Sequence, residues 1–183
     1  VVGDTSSDYN TEVVVGIEDG AVAAGFTTLL AHGRRDTTVM GERVRAMSEL
    51  GVEGIIIVSS RAPLDVVESV AKKIPVVIVG RPSSMPDGAD VIHNNDELGG
   101  RLATRHLLDA GHERIGFVGA NSGAAIASRY AAYQKTMADA GSDYRWARQH
   151  EKADRATFLK DLVTELKSDP QSPTALFISS DAT

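Results

Sequence analysis

The sequence predicts an α/β protein made of two doubly wound parallel-sheet lobes. Short apolar runs alternate with stretches of helical spacing along the whole chain. The runs are apolar on consecutive residues, as in strands covered on both faces, and glycine or proline punctuates most changeovers.

In order, Val13, Val14, Ile17, Ala21 and Ala24 share one helical face, Gly25 stands where a left-handed cap is wanted, and residues 26–31 read as a strand. Met40, Val44, Met47 and Leu50 form the stripe of the next helix, which stops at Gly51 and feeds a strand over residues 54–58. Pro63 opens a third helix lined by Leu64, Val67, Val70 and Ala71, and Pro75 delivers the chain into the strand Val76–Val79. Residues 80–89, GRPSSMPDGA, are rich in turn formers and precede a crossing to a second lobe, with lobes expected over residues 1–92 and 93–183.

Beyond a short strand over residues 90–93, Asn95 caps a helix whose first turn carries Asp96 and Glu97, the charge sign favoured there. That helix ends at Gly111. A strand over residues 115–119, a helix over residues 128–140 and a strand within residues 144–149 follow. A helix with Phe158, Leu159, Leu162, Val163 and Leu166 on its stripe then leads to the strand Ala175–Ile178. Both ends read as cut through an element.

Composition narrows the function. A net charge of −6, from 25 acidic and 19 basic side chains scattered along the chain, offers no continuous positive face for phosphates, so these residues alone are not expected to bind nucleic acid. No apolar run approaches the roughly 20 residues of a membrane span. The absence of cysteine excludes disulfides and thiolate sites and fits a cytoplasmic protein. The five histidines never form a metal-binding helical pair, and neither a phosphate loop nor a serine elbow occurs, so no metal, cofactor or catalytic residue is expected. Residues 119–124, GANSGA, form a glycine-containing turn after a strand, but lack the glycine triplet and the following acidic strand end of a nicotinamide-binding fold.

Parallel sheets bind ligands beyond the carboxyl ends of their strands. The loops there carry Asp4, Tyr9, Asn10, Arg81, Arg129, Ser180 and Asp181, a set suited to a polar, hydroxylated small molecule. Each has a structural alternative. Arg129, read at the start of a helix, needs a partner that is either a ligand or a carboxylate. Asp4, Tyr9 and Asn10 form either a sugar contact or a capped turn, Ser180 and Asp181 either contact ligand or cap a helix, and Arg81 is either a ligand contact or a solvated side chain.

The run NNDELGGRLATRHLLDAGHERIGFVG at residues 94–119 closely resembles the regulatory core of the lactose-repressor (LacI/GalR) family. Support comes from Gly16-Ile17-Glu18, VEGIII at residues 52–57, IPVV at 74–77, RYAAY at 129–133 and PTALF at 173–177, so the similarity extends over essentially the whole chain. The resemblance implies a periplasmic-binding-protein-like fold and a small sugar-like or purine-like effector held between two lobes. It also implies a homodimer, and an operator-binding helix-turn-helix before Val1. It assigns effector contacts to the positions of Arg129, Tyr9, Asn10, Ser180 and Asp181. The expected function is a non-enzymatic allosteric repressor core, the alternative being a sugar-binding receptor of an ABC importer.

Overall fold

A computed structural model describes residues 1–5, 8–59, 61–120, 123–150 and 155–180. The chain divides into two compact units, Val1–Asn94 and Asn95–Thr183, described in turn.

Unit 1 holds helices α1 (Asp8–Ala23), α2 (Thr37–Glu49) and α3 (Leu64–Ala71) and strands β1 (Ile55–Val58), β2 (Val76–Val79) and β3 (Asp90–Ile92). The strands form a parallel sheet in the order β1-β2-β3. Because side chains alternate across a strand, Ile55, Ile57, Val76 and Ile78 turn to one face. There they pack with Met40 and Val44 of α2 and Val66, Val67 and Val70 of α3. Ile56 and Val77 turn to the other face, toward α1. The helix α2 starts where Asp36 accepts from the amides of Thr38 and Val39, while Pro63 precedes α3 with an extended ψ of 126°.

Unit 2 holds helices α4 (Asp96–Asp109), α5 (Ala124–Asp139) and α6 (Arg155–Ser168) and strands β4 (Ile115–Ala120), β5 (Ala147–His150) and β6 (Ala175–Ile178). Its parallel sheet has the order β5-β4-β6, with β4 in the centre and buried at all six positions. On one face Ile115 and Phe117 meet Tyr133 and Met137 of α5, with Leu107 and Leu108 of α4 alongside. On the other, Val118 and Trp146 meet Leu162 of α6. Helices therefore cover both faces of this sheet, as the continuous apolar runs require.

Aromatic packing fixes the first of those faces: Phe117 lies 4.9 Å from the Tyr130 ring and edge-on to Phe177 at 5.3 Å. The Tyr133 hydroxyl donates to the Ile115 carbonyl at 2.7 Å, and burial pushes this phenol up to about 12. On the second face Arg148 lies 4.6 Å over the Trp146 ring and bonds Glu165 through two nitrogens. That bond lowers the Glu165 carboxyl and raises the Arg148 guanidinium.

Several expectations from the sequence need correction. Residues 26–31 form no strand: the Ala31 carbonyl accepts from the Val2 amide beside the isolated bridge Val2↔His32, and Phe26, Leu29 and Leu30 are more than half exposed. A strand exists only beside another, and Val1–Gly3 is long enough to reach residues 31–33 but no farther back. In α1 no residue is fully buried, and Ala24 lies beyond its end. Leu50 and Val163 leave their expected stripes for solvent, whereas Val66 joins the core. Finally, α5 begins at Ala124 after Gly123, whose φ of 115° suits only glycine, instead of at residue 128.

Candidate functional site

In unit 2 the earlier start of α5 places Arg129 as its sixth residue, inside the helix, so the dipole penalty expected at a helix start does not apply. Its partner is Asp96, on the first turn of α4. Both the Arg129 Nε and Nη2 donate to Asp96 Oδ1, at 3.0 and 2.9 Å, and Nη1 donates to the Ser179 carbonyl. The structural alternative for Arg129 is thus realised, with the Asp96 side chain only 2% exposed.

The pair forms because α4 and α5 pack closely. Gly100 lies one turn after Asp96 on the same face of α4, and a Cβ there would come within 2.7 Å of the Arg129 carbonyl oxygen and 2.9 Å of the Ala132 Cβ. Glycine at this position lets the helices approach, so the short Asp96 side chain reaches the guanidinium. A longer interhelical distance would leave two charges apart and partly dry.

A guanidinium carries five N–H donors. Three are used by Asp96 and Ser179, so two terminal N–H groups of Arg129 have no partner among the described residues. The side chain stays 28% exposed, at the carboxyl ends of β4 and β6. Ser180 directly follows Ser179, whose own amide donates to the Val118 carbonyl and whose Cβ limits the space at Gly119. Asp181 lies outside the described residues, as do Asn121 and Ser122 of the glycine-containing turn.

In unit 1 the corresponding strand ends gather Asp4, Asn10 and Arg35. The Asn10 Nδ2 donates to the Asp4 carbonyl at 2.8 Å, and the Asp4 carboxylate pairs with Arg35. Arg34 and Arg35 both adopt left-handed backbone, with φ of 53° and 58°, and the Arg35 amide donates to the Gly3 carbonyl. Two successive non-glycine residues in that region carry strain that the Asp4 pair and this amide bond offset.

Tyr9 sits in the first turn of α1, not in the loop before it, and is 53% exposed. The Asn94 Nδ2 lies 3.5 Å from its hydroxyl, the limit of a hydrogen bond. Arg81 follows Gly80 at the end of β2 and is half-buried and engaged. The structure therefore joins Asp4 to Asn10 within unit 1 and sets Arg129 beside Ser179 and Ser180 within unit 2.

Two residues of these clusters escape a reading of the sequence. Asp96 reads as an ordinary helix-dipole acid, indistinguishable from Glu97 by spacing, and Arg35 reads as a solvated loop charge. The one available signal is Asp96 followed four residues on by Gly100, the pattern of a close helix contact. Among the described residues no cluster of three His, Asp or Glu side chains could hold a metal ion, and no helix is long and apolar enough to cross a membrane.

Comparison with known proteins places the chain. Residues 1–183 match the family of periplasmic binding proteins and sugar-binding domains of the LacI family. The HTH-type transcriptional repressor PurR of Photobacterium profundum is 30% identical over 144 residues, which is 77% of this chain and 43% of that protein. The maltose regulon regulatory protein MalI of Escherichia coli is 29% identical over 75% of this chain and 41% of its own length. The chain spans about half or less of the length of such curated relatives.

Among solved structures, a Burkholderia thailandensis protein assigned as a ribose operon repressor superposes with a TM-score of 0.83 at 28% identity, covering 99% of this chain and 67% of that one. A LacI family regulator of Enterococcus faecium with bound ribose gives a TM-score of 0.78 at 23% identity over the same shares. Two three-stranded parallel sheets with crossover helices, matched along their whole length, show that this chain belongs to the periplasmic-binding-protein and LacI-type sugar-binding domain family.

Proposed function

We propose that the chain is the effector-sensing and dimerising core of a DNA-binding transcriptional repressor, in the cytoplasm and without enzymatic activity. The observation that carries the effector reading is Arg129: it is held on two sides by Asp96 and the Ser179 carbonyl, while among the described residues two of its terminal N–H donors have no partner. Fixed donors at open strand ends recognise a ligand oxygen pair, such as neighbouring hydroxyls of a sugar, without paying again for side-chain ordering. Ser180 and Asp181 adjoin that position in sequence, and Tyr9, Asn10, Asp4 and Arg81 occupy the equivalent strand ends of unit 1.

Relatives described as HTH-type repressors support the regulator over an importer's receptor, and support operator binding through a helix-turn-helix region of the complete protein. Solved relatives holding ribose, sucrose or glucose support a sugar-like effector. Regulation then follows from a difference in effector affinity between two states of the protein.

A thermal-shift screen of sugars and purines tests this reading. A ligand at 100 times its dissociation constant adds about 2.7 kcal/mol of stability. One such ligand is expected to raise the melting temperature of the native chain and to have a much smaller effect on Arg129→Ala. An equal shift in both proteins would remove Arg129 from the site, and no shift with any member of the panel would overturn the sugar or purine class.

A further inference from the structure

By shape alone, two chemistries fit the open side of Arg129 in unit 2. Its terminal nitrogens Nη1 and Nη2 carry two N–H groups each, and each nitrogen uses one, on the Ser179 carbonyl and on Asp96 Oδ1. Among the described residues one N–H therefore remains on each, a fork for two oxygens side by side. Neighbouring hydroxyls of a sugar present such a pair, and so does a phosphate or a carboxylate. Charge decides between them.

The full charges in contact here are two. Arg129 supplies the positive one, and Asp96, whose Oδ1 accepts from Nε at 3.0 Å and from Nη2 at 2.9 Å, supplies the negative one. Ser179, the other partner of the guanidinium, is neutral. Because the Asp96 side chain is only 2% exposed, water and salt screen its field poorly. An oxyanion on the free N–H pair would meet one opposite charge and, across the same planar group, one like charge. Helix ends shift this balance by fractions. The α5 N-terminus has no acid in its first turn and no side-chain cap at Gly123, and contributes about half a positive charge. The α4 N-terminus contributes as much, but Asp96 and Glu97 stand on it already. A phosphate monoester brings about −1.5 to −2 charges at neutral pH and would leave an uncompensated excess in a partly dry cluster. A pair of hydroxyls uses the same two donors and adds no charge.

We propose, resting on the effector role read above for Arg129, that Asp96 selects the charge of the effector. It turns Arg129 into an electrically neutral donor fork, which takes the uncharged oxygens of a polyol and discriminates against phosphorylated and carboxylated sugars. Asp96 acts through Arg129, as a positioning and specificity residue.

The test is isothermal titration of the native chain and of Asp96→Asn with matched probes, ribose against ribose 5-phosphate and glucose against glucuronate. Asparagine keeps an acceptor oxygen for Arg129 at nearly the same volume and removes the charge. The native chain is expected to bind one neutral sugar at least tenfold more tightly than its charged counterpart. In Asp96→Asn that preference is expected to shrink at least tenfold, and the affinity gained for the charged probe to fall steeply as salt is raised. Equally tight binding of both members of a pair to the native chain would overturn the proposal and leave the sugar reading standing, a comparison that decides even if Asp96→Asn does not fold. An unchanged preference in folded Asp96→Asn would overturn it too, because exclusion by size survives the substitution. Binding of no probe to the native chain would overturn the sugar reading and this proposal with it.

Discussion

The two units answer the same sequence pattern differently. In unit 2, β4 is buried along its whole length between α4 and α5 on one side and α6 on the other. In unit 1, α2 and α3 fill one face, but beneath α1 the other face is hollow, and Ile56 stays exposed at the middle of an apolar strand. Apolar sequence therefore states where burial is possible, while neighbours decide whether it happens. A run such as GFTTLLA at residues 25–31 has strand character but lacks a ladder partner over most of its length.

The sharpest way to break this comparison is to truncate matched apolar side chains. Phe117→Ala in unit 2 should cost about 3–5 kcal/mol, and Leu30→Ala in unit 1 only about 0.5 kcal/mol or less, measured by urea unfolding of each variant. Comparable losses at the two positions would mean that the unit 1 face is filled in solution. Next in size, Asp96→Ala should cost about 3 kcal/mol, because it leaves the Arg129 guanidinium partly dry and without its carboxylate. Gly100→Ala should cost about 1–3 kcal/mol by forcing α4 off α5, and a double mutant with Asp96→Ala should fall short of the sum, since both act on one helix contact.

The smallest effect depends on pH. In unit 2 the Glu165 carboxyl is lowered by its bond to Arg148. Its contribution is therefore present at neutral pH and lost as pH falls through the carboxylate range. Glu165→Gln should remove that acid sensitivity at a cost of about 1 kcal/mol or less, because the pair is partly solvated. Thermal denaturation across pH, for the native chain and for Glu165→Gln, reads it.

Local chemistry made much of the fold legible. Val76–Val79 and Ala175–Ile178 are strands with the bounds that their apolar runs suggest, and Gly25, Gly51, Gly111 and Gly141 all take positive φ just past the helices they end. Asn95 caps α4 as its side-chain chemistry requires, accepting from the Leu98 amide. What local pattern could not give was anything set by a distant neighbour: the missing partner of residues 26–31, the burial of Asp96, and the first turn of α5, which Gly123 starts ahead of its apolar stripe. At the candidate site the residue types were legible and their pairing was not. Arg129 announced a need for an anion, but only the packing at Gly100 identifies Asp96 as the one that meets it.

Effector recognition, on this reading, rests on Arg129 keeping donors free for a ligand while Asp96 and Ser179 hold it still. Isothermal titration of the native chain and of Arg129→Lys against ribose, glucose, sucrose and hypoxanthine tests that most directly. A flexible ammonium retains the charge but loses the fixed fork. One of these compounds is expected to bind the native chain with one-to-one stoichiometry and to bind Arg129→Lys at least tenfold more weakly, with both proteins folded. Undiminished affinity in Arg129→Lys would contradict a role for the fixed guanidinium.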